Sequence, residues 1–80
     1  NPNDFGSLAS DLVIGTTSGE HGLTIVSGTA NSARIQFADN TASPFVGAIE
    51  YAHASTNAMI FYTAGSARLR ISFTSTIWNR

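Results

Sequence analysis

The 80-residue sequence contains no cysteine and no lysine, and only 11% of it is charged. The missing cysteine excludes disulfides and thiolate metal sites, and it leaves the redox compartment undetermined. Ordinary soluble domains carry about 25% charged residues, and sheets that face water guard their edges with charge, lysine above all. All four basic side chains are arginines, Arg34, Arg68, Arg70 and Arg80. A net charge of −1 offers nothing to a polyanion, so nucleic acid is not an expected partner. No apolar run approaches the ~20 residues that span a bilayer, so membrane insertion is not expected either. Asn1-Pro2-Asn3-Asp4 has neither an initiator Met nor a signal-peptide pattern. The chain is therefore expected to be a fragment, a processed product or the ordered part of something larger.

A domain of this size buries only about 60% of the surface its unfolded chain exposes. With disulfides excluded, association is the expected supplement. More than half of the residues are Ser, Thr, Asn, Ala or Gly. A surface so poor in charge is expected to meet other copies of itself.

What the sequence does have is alternation. Apolar pairs separated by one small or polar residue recur at Leu12/Ile14, Leu23/Ile25, Ile35/Phe37, Ile49/Tyr51, Met59/Phe61 and Leu69/Ile71, the last extended by Phe73. Alternation puts one set of side chains on one face of a pleated strand. These thirteen residues are the expected core. Turn-formers lie between the pairs, among them Asp39-Asn40 and Ala64-Gly65-Ser66. Residues 1–10 read as an entry segment and residues 11–80 as one β-rich module; over Phe5 to Ile14 a short entry turn is the alternative to a strand at Leu12-Val13-Ile14. Ser32-Ala33-Arg34-Ile35 and Ser66-Ala67-Arg68-Leu69 share a Ser-Ala-Arg-aliphatic opening.

Six short segments occur in a familiar order: Asp11-Leu12-Val13-Ile14-Gly15, Gly22-Leu23-Thr24-Ile25, Ile35-Gln36-Phe37-Ala38-Asp39, residues 47–53, residues 59–65 and residues 67–71. In this phrasing the chain resembles a module of bacteriophage tail fibres and related virion fibre proteins, of the kind that precedes a cleaved chaperone domain in marine phages. The resemblance implies a trimeric, β-rich shaft or tip, located on the virion and extracellular. Its implied partners are further copies of the chain, other virion proteins and a host surface receptor, a glycan among the candidates. The family's Ser/Gly-rich sequel is absent, and the chain runs on as residues 72–80 instead. The expected fold is all-β, with short serial strands forming an intertwined homotrimeric β-prism or triple β-helix. A small β-sandwich that trimerises is the alternative.

Candidate chemistry is sparse, and no cofactor is expected. His21 and His53 are the only imidazoles, too few for a zinc site within one chain, and hydrogen bonding at strand ends is their expected use. A metal bound by either histidine on a trimer axis is the alternative. No Gly-x-Ser-x-Gly nucleophile elbow occurs and no second acid is tied to Glu50, so an enzyme is not expected. Glu50 shares strand parity with Arg68 and Arg70, which makes these three candidates for register-fixing ion pairs. Trp78, Asn79 and Arg80 are candidates for glycan contact, because an indole offers a flat apolar face with a polar handle. Packing between subunits is the competing use of Trp78. The function expected is a structural fibre component that contributes to host attachment. A carbohydrate-binding module and a fragment of a glycan-degrading tailspike are the other two readings.

Overall fold

The computed structural model describes residues 5–43, 45–54 and 56–78. They form one open antiparallel sheet of five strands, preceded by a chain without regular strands. A 3-10 turn, Ser7–Ala9, interrupts that leading stretch. The strands are β1 (Ser32–Phe37), β2 (Gly47–Ala52), β3 (Ala58–Thr63), β4 (Ser66–Ile71) and β5 (Thr76–Trp78). Each pairs with its neighbour in sequence, giving the meander order β1-β2-β3-β4-β5.

Register explains the alternation. Ile35, Ile49, Phe61, Leu69 and Trp78 stand opposite one another across all five strands, and Tyr51, Met59 and Ile71 form a second row beginning at Ala33. Both rows share one face of the sheet, because residues directly paired across strands point the same way. The other face carries the row Arg34, Glu50, Ile60, Arg70 and Ile77, flanked by Ala48 and Tyr62. A bulge at Phe61/Tyr62 leaves Arg68 without a direct partner and keeps both rows in phase.

Two expectations about strands are corrected. Leu12/Ile14 and Leu23/Ile25 alternate as strands do, yet among the described residues no strand forms before Ser32. Alternation assigns side chains to faces, but a strand exists only where its backbone groups find a ladder partner. Phe73 continues the parity of Leu69 and Ile71 but lies in a turn. Ser72 accepts there from the amides of Thr74 and Ser75, at 3.4 and 3.2 Å, and its own amide donates to the Ser75 carbonyl at 2.8 Å. The sandwich alternative is not what a single chain builds, since its strands lie in one sheet.

Burial within the single chain falls elsewhere. Among the described residues the buried apolar positions are Ala48, Ala58 and Ile60, all on the Glu50 face. Of the expected core, Leu12, Ile14, Leu23, Ile25, Ile35, Phe37, Met59, Ile71 and Phe73 are exposed in the single chain, and Ile49, Tyr51, Phe61 and Leu69 are half-buried. The sheet has its apolar face, and among the described residues no second sheet closes over it; Leu23 and Ile25 of the leading stretch reach it at the β1 edge.

Candidate functional site

The open face is the most extensive feature of the molecule. It runs from Ile35 and Phe37 at the β1 edge, through Ile49, Tyr51, Met59, Phe61, Leu69 and Ile71, to Trp78 at the β5 edge. Two shallow grooves are sunk into it. One, of about 490 Å³, lies over Gly47 between Phe37, Ile49 and Phe61. The other, of about 340 Å³, lies near the β1 edge over Ala33, between Leu23, Ile25, Ile49, Tyr51 and Met59. Both occur where a small residue, Gly47 or Ala33, interrupts a row of large ones.

The whole chain, including the largely exposed residues 5–31, is more open than a compact molecule of its size. The accessible surface is 6244 Å², whereas a compact monomer of 8.4 kDa is expected to expose about 4,600 Å². The radius of gyration is 15.4 Å, against about 12 Å for a compact chain of this length. Isolated apolar side chains on a surface need no explanation, but a contiguous apolar sheet face marks an association site.

The opposite face holds the polar cluster. Glu50 is only 5% exposed. Its Oε1 accepts from the Tyr62 hydroxyl at 2.6 Å, and its Oε2 from Arg34 Nη2 at 3.5 Å. Burial pulls the Glu50 carboxyl upward, but hydrogen bonds from Tyr62 and Ser32, with the charge and hydrogen bond of Arg34, outweigh it and hold the carboxyl below its ordinary value. The same hydrogen bond to Glu50, helped by burial, raises the Tyr62 phenol. Phe45 caps the cluster, with its ring edge-on to Tyr62 at 5.4 Å between centroids and 5.5 Å from the Arg34 guanidinium carbon. Every acceptor is used internally, which suits a register device rather than a ligand site.

The expected partners of Glu50 are therefore corrected within the chain. Arg34, its direct neighbour across β1 and β2, makes the ion pair. Arg70 stands two strands away with Ile60 between, and Arg68 donates to the carbonyl and hydroxyl of Thr63 at 3.2 and 3.0 Å. Arg34 has the parity of Glu50 and is the arginine of one of the two Ser-Ala-Arg motifs. A hairpin register from Ile35 to Ile49 would have found it.

The histidines are local. His21 Nε2 donates to the Ser18 carbonyl at 2.9 Å and lies 3.2 Å from the Thr16 hydroxyl. Gly15, with φ of 104°, packs so tightly on this ring that a Cβ would lie 2.9 Å from it. His53 stacks edge-on to Tyr51 at 4.9 Å between centroids. Asn40 Oδ1 accepts from the amides of Ala42 and Ser43 at 2.8 and 2.9 Å, so Asp39-Asn40 forms a turn. No group of three metal-ligating side chains occurs among the described residues. Trp78, 72% exposed, stands at the end of the apolar row; Asn79 and Arg80 lie outside the described residues.

No family model, curated protein or solved structure matches the chain.

Proposed function

We propose that this chain is a structural component of a phage tail fibre or similar virion appendage, working as a homotrimer and contributing to host-cell attachment outside the cell. The observation that carries the reading is the largely uncovered apolar face, from Ile35 to Trp78, beside an apolar core that among the described residues is Ala48, Ala58 and Ile60. A chain with so little private core gains its stability by burying that face against other copies. The absence of lysine and the scarcity of charge fit the same use. The order of its six short segments favours a virion fibre over other self-associating β-proteins. In this reading the sheets of three chains stand around one axis as a β-prism, with the apolar faces inward and the Glu50 faces outward. Its work is mechanical: stacked apolar rows stiffen a rod that presents a binding end to the host.

Sedimentation equilibrium of the purified chain tests it. The expected result is a single species of trimer mass that unfolds cooperatively. A folded, stable monomer at micromolar concentration would overturn the reading.

A further inference from the structure

Cyclic assembly has a consequence for edges. When sheets stand around an axis with their strands running along it and one face inward, the last strand of each copy meets the first strand of the next. Here that brings the β5 edge of one copy to the β1 edge of its neighbour. Such a contact is heterologous, one patch meeting a different patch, and it closes into a ring.

The two edges carry complementary features on the inward face. At β5, Trp78 stands in register with Leu69 and is 72% exposed. At β1, the groove of about 340 Å³ is floored by Ala33 and walled by Leu23, Ile25, Tyr51 and Met59. Ile35, the β1 member of the same cross-strand row as Trp78, borders that groove. Knob and groove are therefore at matching heights. The walls suit an indole: aliphatic side chains cover its faces, and Tyr51 offers a ring to pack against it.

We propose that Trp78 of each copy inserts into the Leu23–Ala33–Tyr51–Met59 groove of the next, and that this contact is the principal anchor of the assembly. The occupant is a second copy because the chain exposes about 1,600 Å² more than a compact molecule of its mass. An interface of standard size takes about 800 Å² from each partner. A ring member has two neighbours, so two such contacts would bury about 1,600 Å² of each copy; the largely exposed residues 5–31 contribute to the excess alongside the apolar face. The proposal rests on the trimeric reading above and specifies which groups join the copies.

Trp78 is the only tryptophan in the chain, so intrinsic fluorescence reports on it alone. In the assembled wild type, emission is expected to be blue-shifted and protected from acrylamide. Filling the groove with Ala33→Leu, or removing the knob with Trp78→Ala, is expected to raise the concentration for half-dissociation at least tenfold. Ala33→Leu is also expected to return Trp78 emission to that of an indole in water. Phe73→Ser, at an exposed aromatic outside the sheet, is expected to match wild type; equal weakening by all three variants would overturn the proposal. An assembled wild type whose Trp78 emits as in water and is freely quenched would leave the trimer standing but sink this contact, freeing the indole for glycan stacking. A wild type that stays monomeric would sink both.

Discussion

Glu50 is a buried carboxylate in the middle of a central strand, and its stability contribution depends on three donors. Burial raises its pKa, while Tyr62, Ser32 and Arg34 lower it further than burial lifts it. A folded-state value below the unfolded one means that the stabilisation is present above the ordinary carboxylate range, about pH 4.3. It is lost as pH falls through the depressed folded value. Tyr62 has the opposite sign: its raised phenol contributes fully below its ordinary value and loses that contribution as pH rises through the folded one. Around neutrality the hydrogen bond between them is intact from both sides. Glu50→Gln is therefore expected to shrink the loss of stability on acidification, measured by urea midpoints across an acid series. Tyr62→Phe keeps the ring against Phe45 but removes a donor to a buried charge. It is expected to cost about 1.5–3 kcal/mol in denaturant unfolding at neutral pH; an unchanged midpoint would show that water supplies the missing donor.

At the scale of elements, the β3–β4 hairpin shows a local choice at odds with its geometry. Its two-residue turn, Ala64-Gly65, has φ of 51° and 73°, the left-handed pair that matches the twist of the flanking strands. Gly65 is suited to this, whereas Ala64 carries a Cβ into a region that costs an L-residue about 1–2 kcal/mol. Asn adopts it more readily. Ala64→Asn is expected to raise thermal stability by about 1 kcal/mol without altering assembly, read by calorimetry beside sedimentation. The strands themselves were legible where alternation met a turn on both sides. Ile35/Phe37, Ile49/Tyr51, Met59/Phe61 and Leu69/Ile71 all fall inside β1 to β4. Leu12/Ile14 and Leu23/Ile25 have the same pattern without a ladder, because hydrophobic period describes faces and says nothing about whether a partner edge is free. Arg34 was less legible than Arg68 and Arg70 because parity alone admits every even position. Only register, which depends on where β1 and β2 turn, selects Arg34 for Glu50.

At the scale of the whole molecule, the apolar face was legible and its covering was not. Thirteen alternating residues read as a core, yet in one chain the buried positions are two alanines and an isoleucine on the other face. A pattern of side chains specifies which surface must leave water, not which chain covers it. If three chains share that surface, unfolding follows the cube of the free-chain concentration. A tenfold dilution is then expected to lower apparent stability by about 2.7 kcal/mol per trimer, twice the dimer value and with no counterpart in a monomer. Phe61 separates folding from association most sharply. It is half-buried at the centre of the row, opposite Ile49 and Leu69. In a lone chain, Phe61→Ala would remove a half-buried side chain and lower stability equally at every protein concentration. Buried among three sheets, the same truncation leaves a cavity in each copy and costs about 3–5 kcal/mol per chain. The variant is expected to stay largely dissociated at concentrations where wild type is trimeric. A Phe61→Ala trimer with unaltered dilution behaviour would mean that the central row does not lie at the interface.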